Sequence, residues 1–215
     1  MSENADLETY GTWDRMTSGA WHLPSMSSAD TAEEHQRTMA LVKHLNDLGN
    51  TDTNTAENLI SRLLGIGSAI PQIHVPLNVE YGTNITFGEH SFVNFGATFL
   101  AQAPINFGDH TQIGPNCSFI TINHPVNDHA MRRGGWEKAA AISVGDNCWF
   151  GANVTVLPGV SIGDNCVFAA NSVINRDVPD NSLMAGVPAV CVRELNDAQP
   201  LEREELDGPV DGMNR

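Results

Sequence analysis

Between residues 144 and 174 an apolar residue recurs at every sixth position: Val144, Phe150, Val156, Ile162, Phe168 and Ile174. The position after it is small in most cases (Gly145, Gly151, Gly163, Ala169). A period of six belongs to neither an α-helix, with its 3.6 residues per turn, nor an isolated strand with its period of two. It is the period of a parallel β-helix, in which each hexad supplies one short strand and one corner. Three hexads complete a triangular coil, and successive coils stack about 4.8 Å apart through ladder hydrogen bonds. The apolar residue fills the prism, and the small residue after it permits the tight corner.

The same phase runs backwards through Phe119, Ile113 and Phe107, then Phe99, Val93, Phe87 and Tyr81. A short phase shift falls at "AQAPIN", 101–106, and a longer excursion, "ITINHPVNDHAMRRGGWEKAAA", occupies 120–141. The β-helix is therefore assigned to residues 67–193. Residues 1–66 read as helical. One amphipathic stretch opens at Ser28 and Asp30 and closes at Gly49, with Leu41, Val42, Leu45 and Leu48 on one face. A second, "NTAENLISRLLG", carries Asn54 and Glu57 at capping-box spacing. A solenoid must cover its open ends, and these helices are natural covers. Residues 194–215 are polar and acidic, and read as a tail.

Charge and cysteine usage narrow the setting. The chain of 215 residues has 26 acidic and 11 basic side chains, a net charge of -15. That surface repels nucleic acid and anionic membranes. The N-terminus has neither a basic start nor an apolar run, and no stretch approaches the roughly 18 apolar residues of a span. These features predict a cytoplasmic protein. Cys117, Cys148 and Cys166 share the small inward position of the repeat and read as core residues rather than a disulfide frame or zinc site.

"ITINHPV" in the excursion, the "IGDN" repeats, "AGVPAVCVRELN" near the end, "VNFG" at 93–96 and the N-terminal "RMTSGAWH" and "HLN" together resemble the sugar O-acetyltransferases, the maltose and galactoside acetyltransferases of the hexapeptide-repeat superfamily. The resemblance runs from about residue 13 to 197. It implies a left-handed parallel β-helix with an N-terminal helical segment and a protruding loop. It also implies a homotrimer with active sites between subunits, acetyl-CoA as acetyl donor, a sugar or glycoside acceptor and no metal. The hand is not readable from the residues; the general preference for right-handed crossovers points the other way.

On this resemblance His124 is the general base. A hydroxyl is a poor nucleophile towards a thioester until a base of near-neutral pKa removes its proton. Pro125 restricts His124 to an extended backbone. Asn94 matches the amide that stabilises the developing oxyanion, a task suited to a donor in a dry cleft. Glu80 matches the position that binds the acceptor hydroxyl, and Trp149 an aromatic near the cleft. For the donor, Ala152 and Ala170 match backbone contacts to the pantetheine arm, Asn175 and Arg176 a Thr-Lys-like pair, and Arg193 a basic residue near the nucleotide phosphates. Three positions depart from the family pattern. The stretch "WHLPSM", with Trp21, His22 and Pro24, replaces an aromatic followed by Asp or Ser. Gln102 replaces a carboxylate, and Val190 replaces a basic residue.

Two other readings compete. His90, His124 and His129 are a possible zinc set of the kind used by the γ-class carbonic anhydrases. Against it, His90 and His110 fall at turn positions of the repeat. The third reading is an inactive β-helix scaffold.

Overall fold

The computed structural model describes residues 12–24 and 28–195. Three helices precede the solenoid: α1 (Trp13–Thr17), α2 (Ala29–Leu48) and α3 (Thr53–Leu63). The first coil is β1 (Gln72–Ile73), β2 (Asn78–Val79) and β3 (Ile85–Phe87). The second is β4 (Phe92–Val93), β5 (Thr98–Leu100) and β6 (Ile105–Phe107). In the third, β7 (Gln112–Ile113) and β8 (Ser118–Ile120) lead into the excursion. That loop holds β9 (Ile122–Asn123), α4 (His129–Arg133) and β10 (Lys138–Ala139), and the coil resumes at β11 (Ile142–Val144). Then come β12 (Trp149–Phe150), β13 (Thr155–Val156), β14 (Ser161–Ile162), β15 (Val167–Phe168) and β16 (Val173–Ile174). A closing hairpin consists of β17 (Ser182–Gly186) and β18 (Ala189–Glu194).

The result is a solenoid of about six turns with three parallel sheets. They run β1-β4-β7-β12-β15-β17, β2-β5-β8-β13-β16 and β3-β6-β11-β14; β18 adds antiparallel to the first, and β9 pairs antiparallel with β10. The hexad residues stack as the period requires: Val144 on Ile162, Phe150 on Phe168, Val156 on Ile174. All six are at most 5% exposed. Burying each such side chain is worth about 1.5–3 kcal/mol. Aromatic rings add columns inside the prism, with Phe87 over Phe107 at 4.5 Å and Phe150 over Phe168 at 4.6 Å. Cys117, Cys148 and Cys166 are buried in this core with free thiols.

The repeated "GDN" has a structural reason. At the corner of each coil the Asp side chain accepts the backbone N–H of the matching residue one coil earlier: Asp109 N to Asp146 Oδ1 and Asp146 N to Asp164 Oδ1, both 2.8 Å. The Asn after it adopts positive φ, at Asn147 and Asn165. Asn is among the few residues that tolerate that region.

The phase is corrected at one place. The later coils repeat every eighteen residues, but the first two repeat every twenty: the second has its extra residues at the 101–106 phase shift, and the first has two of its own. The surplus of the first is taken up by a tight turn at Gly82–Asn84. Val79, not Tyr81, therefore stacks on Phe99, and Tyr81 turns towards the helices, its ring edge-on to Trp13 at 5.6 Å. The cap of α3 is corrected too. Asp52, not Asn54, precedes the helix and accepts from Thr55 N at 3.1 Å.

The helices lie over the first coil. Asn46 exchanges hydrogen bonds with the Leu77 backbone (3.0 and 2.9 Å), and Thr38 accepts from Gly82 N at 3.0 Å. Leu41, Val42 and Leu45 are buried against the prism, and Leu48 is partly buried. All but the first two residues of the acidic tail lie outside the described residues. Among the described residues no helix is long and apolar enough to cross a membrane.

Candidate functional site

The excursion carries His124 out of the coil, beyond β9. The ring is 54% exposed and its two nitrogens face different groups. Nδ1 lies 3.0 Å from the Trp136 carbonyl, which can only accept. Nδ1 therefore carries the hydrogen, which leaves the Nε2 lone pair free in the neutral ring. Nε2 lies 3.6 Å from Glu137 Oε1. A ring fixed in this tautomer can take a proton at Nε2, and the carboxylate stabilises the imidazolium that results.

Glu137 was not legible in the sequence. It sits on the return limb of the loop, and its partners come from distant parts of the chain. The backbone of His22 pairs with it, His22 N to Glu137 O at 2.8 Å and Glu137 N to His22 O at 2.9 Å. The arm after α1 is thereby fixed to the loop. Gly19 makes that approach possible: its φ is +76°, and a Cβ there would lie 2.9 Å from the Ala139 carbonyl.

Glu80 follows β2 and Gln102 follows β5, so both sit at the same corner of the prism as the root of the loop. The Gln102 amide donates to Glu80 Oε1 at 3.3 Å and to Glu137 Oε2 at 3.0 Å. Its carbonyl oxygen lies 2.8 Å from His22 Nε2. Burial holds the Glu80 carboxyl above its ordinary range; the Gln102 hydrogen bond opposes this and the Glu137 charge adds to it. The structure thus brings His124, Glu80, Glu137, Gln102 and His22 together. Two of the three departures from the expected pattern, His22 and Gln102, prove to be hydrogen-bonded partners.

Asn94 lies elsewhere. It follows β4 at the other end of the β5 strand, and its Oδ1 accepts from Phe95 N at 2.8 Å. With Phe92, Gln112, Trp149 and Ala152 it lines a cleft of about 290 Å³. Trp149 is 56% exposed there. Within one chain the cleft of Asn94 and the cluster of His124 occupy different corners.

The residues expected at the donor are spread along the lower coils. Ala152 and Ala170 occupy stacked corners, joined through Asn171 N to Ala152 O at 2.8 Å. Asn175 and Arg176 follow β16, both exposed, with Arg176 Nε 3.5 Å from Asn175 Oδ1. Arg193 is exposed on β18 opposite Leu183, and Val190 lies opposite Ala185 with 55% exposure. Among the described residues neither Arg176 nor Arg193 forms an ion pair with a carboxylate of the chain. In so acidic a protein, two guanidinium groups without such a pair among the described residues fit a phosphate ligand.

The imidazoles of the zinc reading do not converge. His90 stacks on His110 at 5.0 Å in exposed turns between the third and first faces, while His124 and His129 belong to the loop. Among the described residues no group of three His, Cys, Asp or Glu is placed to hold a metal ion.

Residues 141–176 match the model of the hexapeptide repeat of succinyl-transferase. The galactoside O-acetyltransferase of Escherichia coli (strain K12) is 33% identical over 165 residues, 77% of this chain and 81% of that protein. The crystal structure of a maltose O-acetyltransferase from Clostridium difficile 630 superposes with a TM-score of 0.82 at 28% identity, covering 86% of this chain and 97% of that one. A hexapeptide-repeat-containing acetyltransferase from Vibrio cholerae O1 biovar eltor, complexed with acetyl coenzyme A, superposes with a TM-score of 0.75 at 32% identity, over 86% of this chain and 98% of that one.

Proposed function

We propose that this chain, which belongs to the hexapeptide-repeat acetyltransferases, moves the acetyl group of acetyl-CoA directly onto a hydroxyl of a sugar or glycoside. The observation that carries the reading is the His124 ring, with Nδ1 committed to the Trp136 carbonyl and Nε2 directed at an acidic cluster that contains Glu80. A neighbouring hydroxyl of the acceptor donates a hydrogen bond to Glu80, and the reacting hydroxyl loses its proton to His124 Nε2 as its oxygen attacks the thioester carbonyl. Asn94 donates to the oxygen of the tetrahedral intermediate. The carbon–sulfur bond then breaks, and the proton held by His124 passes to the departing thiolate. General base catalysis contributes about a hundred- to ten-thousandfold, and holding both substrates in one cleft supplies more.

The donor is held by the backbone at Ala152 and Ala170 along the pantetheine arm, by Asn175 and Arg176, and by Arg193 at the nucleotide phosphates. Trp149 walls the thioester end. Asn94 and His124 lie at different corners of one prism, so a complete site requires a neighbouring copy to supply one of them. This separation, with Trp149 and Phe95 exposed beside Asn94, supports a homotrimer with the site at each interface. A cytoplasmic location agrees with free core thiols.

The test is thiol release from acetyl-CoA in the presence of glucose, maltose, a galactoside and a glucosamine oligomer. Release that depends on one of these acceptors, with an O-acetyl product, supports the reading. Release with none of them removes the sugar hydroxyl as acceptor.

A further inference from the structure

The buried cluster behind His124 contains a group with no part in the reaction just described. His22 is 2% exposed and Gln102 is 4% exposed. The Gln102 amide has two hydrogens, and both are used on carboxylates, Glu80 at 3.3 Å and Glu137 at 3.0 Å. Turned the other way, its carbonyl oxygen would face those two acceptors. Its orientation is therefore fixed, and the oxygen that it presents to His22 Nε2 at 2.8 Å can only accept. The other ring nitrogen, Nδ1, lies 3.1 Å from the Ala20 carbonyl, again an acceptor. Both nitrogens of His22 face acceptors, so both must carry hydrogen.

We propose that His22 and Gln102 are positioning residues: a buried His22 imidazolium fixes the Gln102 amide, which clamps Glu80 beneath the acceptor and Glu137 behind the base. The charges agree. His22 is faced by Glu137, Nε2 to Oε2 at 3.8 Å, and by Glu80 through the amide. Arg15, from α1, donates to the Trp21 carbonyl at 2.7 Å; Lys138, in the loop, lies over the Trp21 ring; and His124 lies beyond Glu137. One buried cation thus stands between two carboxylates, where an unpaired pair would be costly to bury. The arm that brings His22 also bonds to the Glu137 backbone, so the clamp and the loop are set by one contact. A glutamate at position 102 could not do this work, because a carboxylate has no hydrogen to give to Glu80 or Glu137.

The roles assigned here rest on the proposed acetyl transfer; the charge state of His22 does not. It is read by 15N NMR of the histidine-labelled protein, with His22→Phe used to assign the resonance. Two protonated ring nitrogens at neutral pH are expected, and a neutral tautomer overturns the proposal. The kinetic arm compares His22→Phe, Gln102→Leu, Gln102→Glu and the His22→Phe/Gln102→Leu double variant, each first checked for native circular dichroism. Each single variant is expected to lower kcat about ten- to a hundredfold and to raise the acceptor KM, with the acetyl-CoA KM unchanged. The double variant should lose no more than the worse single one, because both act through the same amide. Folded variants with the wild-type kcat and acceptor KM, or losses that multiply in the double variant, overturn it. An imidazolium at His22 in a protein that acetylates no acceptor would sink the sugar reading and leave the clamp standing.

Discussion

His124 Nε2 lies 3.6 Å from the Glu137 carboxylate across the neck of the loop that carries both, while the Trp136 carbonyl holds Nδ1. The carbonyl sets the tautomer and the carboxylate stabilises the charge that appears when Nε2 takes a proton. The two tasks are separate, so they separate on mutation. Glu137→Gln keeps the tautomer and loses the charge. It should lower kcat about fivefold, far less than removal of the imidazole, because a partly exposed ion pair is worth about 1 kcal/mol. Steady-state kinetics with saturating acetyl-CoA measure this; a loss as large as that of His124→Ala would mean that Glu137 is itself the base.

Glu80 gives a prediction about stability and pH. Burial holds its carboxyl above the ordinary range in the folded protein. A raised folded-state pKa adds stability only below the unfolded value, and that contribution is lost as pH rises through the folded value. Near pH 8 the folded protein therefore carries the cost of a buried carboxylate, which Glu80→Gln removes while retaining an acceptor for Gln102. The melting temperature of Glu80→Gln should exceed wild type at about pH 8, and the gap should close towards about pH 4. A gap that does not change with pH contradicts this account of Glu80.

Gly19 tests how the N-terminal arm reaches the site. Its positive φ and the Ala139 carbonyl leave no room for a side chain. Gly19→Ala should cost about 1–3 kcal/mol of stability and raise the acceptor KM by displacing His22. Thermal unfolding and acceptor titration measure the two effects, and an unchanged acceptor KM would detach the arm from the acceptor site.

Much of the solenoid was legible because its signal is local and repeated. Val144 to Ile174 keep one residue type in six, and every one of them points inward. Tyr81 broke the phase because the surplus of the first coil is absorbed in a turn without a strong sequence mark, Gly82–Asn84. His124, the proposed base, stood out as His-Pro in a loop. Glu137 did not, because nothing near it in sequence announces a partner: it meets Gln102 from 35 positions away, and Gln102 meets His22 across 80. For the same reason His22 and Gln102 read as unrelated departures from a pattern, when the fold makes them neighbours.

The separation of Asn94 from His124 within one chain predicts complementation. His124→Ala and Asn94→Ala should each be nearly inactive alone. Mixed, unfolded and refolded together, they should regain activity, because about a quarter of the sites in a randomly assembled cyclic trimer receive both intact residues. No recovery in mixed trimers confirmed by mass would place a whole site within one chain.

The most direct measurement compares wild type and His124→Ala with the best acceptor from the sugar panel, following thiol release and product together. Wild type should release thiol in step with an O-acetyl sugar. His124→Ala should bind acetyl-CoA with an unchanged Kd and turn over about a hundred- to ten-thousandfold more slowly. Turnover of His124→Ala at the wild-type rate would contradict the assignment of the base, and with it the account of the site.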